Sequence, residues 1–407
     1  MSTGYLVLAG IDVHKRMLAV VVRIESGGQV RYERRKFGTT QSEIRHLAAW
    51  LGSFGVTEAV LESTAQYWRP VWYGLEAHLK LHLTHPMAVR ARQGRKHDFG
   101  DAQRLADRLR SGEIVESFVP GAQQRRWRML TRLRVELRCK IGVVRSQVEG
   151  LLEEGGIKLS AVASDLFAVS SWAMLERLAR GETDPDVLVG EARGVLRKKG
   201  EQLREALAGQ LHPEHRVALS LYLDEARLYI QQIAQMDTWI AQSMREHAAT
   251  IQRLCQLPGV DVTAAQQLIA EIGPEAATFP TPQQLASWVG VCPGKQESAG
   301  VNVSSRSAKG NRYLRRLLCQ IAWAATHAKG TFFAGLFRRW TTKLGAKAAA
   351  WAVAHRMTHM IWRILHDRLA YQEPGPAPVS VRSLLRKYRK LVADLQRAGI
   401  DPFPVLG

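Results

Sequence analysis

The chain has 407 residues, 57 of them Lys or Arg against 37 Asp or Glu, for a formal charge of +20 and a pI near 10.2. A basic excess of that size points to a polyanionic partner, nucleic acid before any other. Membrane insertion is not expected, because no apolar run reaches the length of a transmembrane helix.

The N-terminus, Met1-Ser2-Thr3-Gly4, lacks the basic and then apolar pattern of a signal peptide. Cys139, Cys255, Cys292 and Cys319 are scattered without metal-ligand spacing, which argues against zinc and fits a reduced, cytoplasmic setting. Residues 5–10 read as a buried strand ending in Ile11-Asp12. Residues 17–25 and 29–37 are rich in β-formers and flank Gly27-Gly28, a hairpin turn. Residues 41–52 place Ile44, Leu47, Trp50 and Leu51 at helical spacing. Residues 56–61 form another strand, ending at Glu62, and a helix over 67–79 and a short strand near 81–83 follow. The next helix opens at Asp98. The order β-β-β-α-β-α-β-α is that of the ribonuclease-H-like fold.

Asp98 and Asp101 stand one helical turn apart, among Arg90, Arg92, Arg95, Lys96 and Arg104. Two readings fit: acids that complement a helix N-terminus, or carboxylates that hold a divalent ion facing a polyanion. In a ribonuclease-H-like sheet the strand ends carrying Asp12 and Glu62 would be neighbours, and the helix carrying Asp98 and Asp101 would pack beside them. Such a group of carboxylates would repel without a cation.

From Gln123 the character changes. Arg125, Arg126, Arg128, Arg132, Arg134, Arg138, Lys140 and Arg145 line a long helix whose apolar stripe reads as Leu130, Leu133, Leu137, Ile141 and Val144. Residues 157–205 are helical with Gly and Pro breaks. Pro213 opens a second long helix with a heptad-like seam of Leu219, Leu223, Ala226, Ile230, Ile233, Ile240, Met244 and Ile251, interrupted by Asp237. The two long helices suggest a coiled-coil hairpin, paired within one chain or between chains. Residues 254–273 resemble a helix-hairpin-helix, whose turn is either a phosphate holder or a plain structural turn. A short helix over 283–290 precedes a loop-forming stretch, and Asn311 starts a helix running to about 328. A further helix spans 343–370, Glu373–Pro378 is a linker, and a basic tail helix covers 380–398. Arg125, Arg126, Arg128, Arg132, Lys309, Arg312, Arg315 and Arg316 are the candidates for contact with nucleic-acid phosphates, with a solvated helix face as the alternative.

Three stretches carry a resemblance: Gly10-Ile11-Asp12-Val13-His14-Lys15, Leu61-Glu62-Ser63-Thr64, and Lys96-His97-Asp98-Phe99-Gly100-Asp101-Ala102. They resemble the DEDD motifs of the transposases of insertion-sequence family one-ten, with the related Piv-type DNA invertases. Gly290-Val291-Cys292-Pro293, Ser298-Ala299-Gly300 and Lys309-Gly310-Asn311-Arg312-Tyr313-Leu314-Arg315-Arg316 resemble that family's C-terminal transposase domain. The resemblance implies a DNA recombinase whose RuvC-like domain holds Mg²⁺, or Mn²⁺ in its place, on Asp12, Glu62, Asp98 and Asp101. It implies Ser298 as the nucleophile that forms a 5′-phosphoserine with DNA, acting with the metal site of a neighbouring protomer in family members, while the sequence leaves open whether that site belongs to the same chain or another. It further implies double-stranded donor and target DNA as substrates and an element-encoded structured non-coding RNA, a bridge RNA, as guide. A homo-oligomer follows too, a dimer that becomes a tetramer when the DNA ends are brought together, on the bacterial nucleoid. Ala299 stands where the family has glycine, and His97 where it often has Thr. Ser304, Ser305 and Ser307 are rival nucleophiles.

The expected architecture is α/β plus all-α. Residues 1–122 form the ribonuclease-H-like catalytic domain and 123–250 a basic helical, coiled-coil connector. Residues 251–370 form a mainly helical C-terminal transposase domain and 371–407 a linker and tail helix. The alternatives are a RuvC-like nuclease that hydrolyses DNA with water, and a nucleic-acid-binding scaffold without catalysis.

Overall fold

A computed structural model describes residues 6–85, 97–294, 296–298, 301–304, 307–375 and 381–400. It contains two compact units, Met1–Pro120 and Gly121–Gly407.

The first unit is built on strands β1 (Leu6–Val13), β2 (Met17–Ser26), β3 (Gln29–Gly38), β4 (Glu58–Glu62) and β5 (Lys80–Thr84), in the sheet order β3-β2-β1-β4-β5. β1, β2 and β3 pair antiparallel, and β4 and β5 run parallel to β1. The hairpin turn at Gly27-Gly28 has positive φ at both residues, which the primed hairpin turns require. One sheet face packs on α1 (Gln41–Ser53) and α2 (Trp68–Leu75), through Ile11, Val20, Phe37, Leu47, Leu51 and Leu75. The other face packs on α3 (Asp98–Ser111), and this second packing positions the site. The observed order of strands and helices matches the expected β-β-β-α-β-α-β-α. The helix expected over 67–79 is shorter, because the chain turns after Leu75 into the strand that opens at Lys80.

The second unit begins with α4 (Ala122–Glu154), which returns antiparallel as α9 (Pro213–Ser243). At one end Trp127 Nε1 donates to Ser243 O at 3.1 Å, and at the other Val148 and Leu152 share a core with Leu219 and Leu223. The pairing left open by the sequence is thus within the chain. Between them lie α5 (Leu159–Val162), α6 (Val169–Ala179), α7 (Pro185–Val189) and α8 (Gly200–Ala206), gathered around the same core. The stripe read from α4 needs correction. Leu133 is 40% exposed, and the buried row is Trp127, Thr131, Arg134, Leu137, Val144 and Val148. The row rotates because Arg134 can enter it: its guanidinium donates to Asp237 at 2.8 Å, Gln266 at 3.0 Å and Thr263 O at 3.0 Å. Asp237, the polar break in the α9 seam, is therefore the partner of a buried arginine.

The remaining helices form a second core around α11 (Val262–Ile272), with α10 (Ala248–Cys255), α12 (Pro282–Val289), α13 (Arg312–His327), α14 (Phe332–Leu344) and α15 (Ala346–His366). α11 starts at Val262, where Asp261 caps it by accepting from Ala264 N at 2.7 Å. The stretch expected as loop contains a short antiparallel ladder, β6 (Gln296–Ser298) with β7 (Val301–Ser304). α14 was not expected; Thr331 starts it by accepting from Ala334 N. The tail is α16 (Val381–Arg397). Among the described residues no helix is long and apolar enough to cross a membrane.

Candidate active site

Strand register builds the site. β1 and β4 pair Gly10 with Val60 and Ile11 with Leu61. Asp12 and Glu62 are each one residue further on, so the two carboxylates end neighbouring strands at one height. Side chains alternate along a strand, so Gly10, Asp12, Val60 and Glu62 share a face. That is the face α3 covers: Val60 packs on Leu105. A Cβ on Gly10 would lie 1.9 Å from Ala102 O and 2.8 Å from Ala106 N. Glycine at this position lets α3 lie directly on the strand, which brings its N-terminal Asp98 over the end of β1.

There Asp12, His14 and Asp98 meet. Each offers one ligand atom, and these atoms lie within 4.8 Å of one another. His14 Nε2 is 3.0 Å from Asp12 Oδ2 and 3.7 Å from Asp98 Oδ1. Asp12 is buried, whereas His14 and Asp98 are 41% and 38% exposed, so the cluster opens to solvent on one side. Asp98 also takes Lys36, whose Nζ is 3.6 Å from Oδ2. Register explains that contact: Asp12 pairs with Ala19 and Ala19 with Lys36, one row across three strands.

The other two acids flank this cluster without joining it. Asp101 is held by the Arg104 guanidinium three residues along α3. Glu62 accepts from Thr64 Oγ1 at 3.4 Å. His14 and Lys36 were not singled out from the sequence. His14 follows Asp12 by two positions, the period that returns a side chain to the same strand face, and that spacing is the signal that would have found it. Arg90, Arg92, Arg95 and Lys96 lie outside the described residues.

The donor set suits a divalent cation. Two carboxylates and an imidazole converge from β1, the turn after it and α3, and the spacing of their ligand atoms is one a single ion can bridge.

In the second unit, Ser298 ends β6 and pairs with Val301 of β7. Ala299, Gly300 and Ser305 lie outside the described residues. The platform after the ladder is held by Arg315, whose guanidinium donates to Gly290 O, to Ala308 O at 2.8 Å and to Ser307 Oγ at 3.1 Å, and lies over the Trp351 ring. Gly290 has φ +81, and a Cβ there would meet Ala308 O at 2.6 Å, so the two segments cross at closest approach.

The basic residues separate by what they touch. Arg132 makes a two-pronged bond to Glu271 at 2.7 and 2.8 Å. Arg128 lies 3.5 Å from the same carboxylate and also donates to Ala270 O and Glu271 O. Glu271 is fully buried and also accepts from Asn311 Nδ2 at 2.8 Å. Burial pushes the Arg128 guanidinium down to about 10. Burial also opposes the charge on Arg132, but its bond to Glu271 more than offsets this and raises it. Arg128, Arg132 and Arg315 thus hold this unit together, which is a different use from the phosphate contacts expected of them. Arg126, Lys309, Arg312 and Arg316 are exposed, and Arg125 is half-buried. Arg316 lines a cleft of about 240 Å³ with Arg134, Arg138 and the turn between α10 and α11.

Residues 9–156 match the family profile described as a DEDD-type transposase, and residues 251–334 match that described as "Transposase IS116/IS110/IS902 family". A Pseudomonas aeruginosa protein named as a family 20 transposase is 26% identical over 291 residues, covering 70% of this chain and 75% of its own length. A Sinorhizobium fredii protein named as a transposase is 26% identical over 371 residues, covering 86% of this chain and 79% of its own.

Proposed function

We propose that the chain, which matches transposase family profiles over residues 9–156 and 251–334, is an IS110-family transposase that cuts and rejoins donor and target DNA through a phosphoserine. The observation that carries this reading is the convergence of Asp12 and Asp98 at the end of β1, with Glu62 ending the adjacent strand. On this reading the first unit is a ribonuclease-H-like domain. Asp12, Glu62, Asp98 and Asp101 hold Mg²⁺. Bound there, the ion would stabilise charge on a phosphate oxygen and lower the pKa of an attacking hydroxyl.

Ser298 is the nucleophile on this reading. Its Oγ forms a bond to the DNA phosphorus, the bond from phosphorus to the 3′ oxygen breaks, and the serine proton goes to that leaving oxygen. A 5′-phosphoserine and a free 3′-hydroxyl result. Attack by the 3′-hydroxyl of another strand reverses the step and releases the serine. A serine hydroxyl needs activation for this, which accounts for a carboxylate site and a serine in one protein.

The charge of +20 supports a nucleic-acid partner on Arg125, Arg126, Lys309, Arg312 and Arg316. We assign sequence choice to base pairing with an element-encoded RNA, and the working form to a homo-oligomer acting on the nucleoid in the cytoplasm. The test is a Ser298→Ala variant incubated with its DNA junction and RNA. The expected outcome is loss of both the covalent protein–DNA adduct and strand cleavage. Cleavage that persists without an adduct would make the protein a metal-dependent nuclease using water. Full recombination in the absence of RNA would remove the guide from the reading.

A further inference from the structure

We infer that His14 is a direct ligand of the ion at the Asp12 centre and that its imidazole tilts the centre toward Mn²⁺ over Mg²⁺. The inference rests on the metal-centre reading above and adds a nitrogen donor to it.

The geometry selects His14 for this role. It lies just past β1 and two residues beyond Asp12, so it returns to the strand face that α3 covers. The turn that follows is fixed by His14 N donating to Met17 O at 3.0 Å. The ring nitrogen Nε2 then sits between two carboxylates from different elements, 3.0 Å from Asp12 Oδ2 and 3.7 Å from Asp98 Oδ1. In an octahedral ion with bonds of about 2.1 Å, adjacent ligand atoms are about 3.0 Å apart and opposite ones about 4.2 Å. The two separations from Nε2 lie at or between those values, and all three ligand atoms lie within 4.8 Å of one another.

Lys36 approaches Asp98 at its other oxygen, Oδ2, which leaves Oδ1 on the His14 side. The exposed flank of His14 and Asp98 leaves coordination positions for water and a phosphate oxygen.

The consequence is selectivity. Mg²⁺ prefers an all-oxygen shell and gives up water reluctantly. A nitrogen donor favours transition ions, and among those suited to carboxylate and water ligands Mn²⁺ gains the most from one imidazole. A histidine that only oriented Asp12 by a hydrogen bond would support both ions alike.

The experiment uses the full chain with Mn²⁺ as probe, read by electron paramagnetic resonance, with Mg²⁺ in competition. Pulsed measurement of nitrogen coupling reports whether imidazole touches the bound Mn²⁺. The expected result is a nitrogen signal in the wild type that disappears in His14→Ala and in His14→Gln. Mn²⁺ affinity should fall about tenfold or more in both, with a smaller change for Mg²⁺. Bound Mn²⁺ without nitrogen coupling would overturn the inference, as would equal losses for the two ions. Asp12→Asn separates the two levels. If it abolishes Mn²⁺ binding but the ion bound to the wild type shows no nitrogen signal, only the role of His14 fails. If the wild type binds no Mn²⁺, or Asp12→Asn binds as well as wild type, the metal-centre reading itself fails.

Discussion

Gly10→Ala tests how the fold sets the site. The added Cβ would lie 1.9 Å from the carbonyl oxygen of Ala102, against an ordinary contact of at least 3.4 Å. The obstacle is helix backbone, so no rotamer change relieves it, and α3 must move outward by about 1.5 Å. Asp98 and Asp101 ride on the first turn of α3 and move with it, while Asp12 stays on β1. Overpacking of this kind costs about 1–3 kcal/mol, which lowers the melting temperature by roughly 5–10 °C. A misplacement of this size costs the chemical step about 100-fold. The assay pairs strand cleavage with Mn²⁺ affinity and thermal melting. Gly52→Ala is the control: it lies in α1 with nothing within 4 Å of its Cβ, and should stabilise by about 0.5–1 kcal/mol without touching the site. Unchanged cleavage and Mn²⁺ affinity in Gly10→Ala would refute the idea that contact between β1 and α3 places the carboxylates.

Two further changes probe the second unit. Glu271→Gln keeps the shape but leaves two guanidinium groups without their counter-charge. Arg132 retains 29% exposure, so the cost should sit near the lower end of the 3–5 kcal/mol for breaking a buried pair, about 3 kcal/mol. That is a melting decrease of about 6–10 °C, and an unchanged melting point would show the pair to be unimportant. Arg126→Ala and Arg312→Ala should leave melting within about 0.5 kcal/mol of wild type while each lowers the salt dependence of nucleic-acid binding by about one phosphate contact. Binding curves that superimpose on wild type at every salt concentration would remove these residues from the interface.

The first unit was legible because its signals are local. Apolar runs of strand length, a double-glycine turn and two acids at strand ends are all readable within ten residues of chain. The row that joins Asp12 to Lys36 was not legible in the same way. It depends on cross-strand register, which a hairpin turn fixes only once its type is known. His14 went unassigned because a single histidine beside a strand end has many uses, and its partner Asp98 is 84 positions away.

The arginines of α4 show a deeper reason why charge alone misleads. Eight basic residues over 125–145 read as a solvated or DNA-facing surface when only their own helix is considered. What decides their fate is an acid elsewhere. Glu271 sits in a run, Ala264 to Ile272, that is buried throughout. A lone carboxylate in such a helix cannot be left without a cation, because stripping its water costs far more than one hydrogen bond returns. Asp237 makes the same demand from the seam of α9, and Arg134 answers it. Each polar break in an otherwise apolar stripe therefore subtracts a basic residue from the surface. Subtracting Arg128, Arg132 and Arg134, and Arg145 with its partner Asp165, leaves Arg125, Arg126, Arg138, Lys140 and the exposed edge of α13 as the charge on offer to a phosphate backbone.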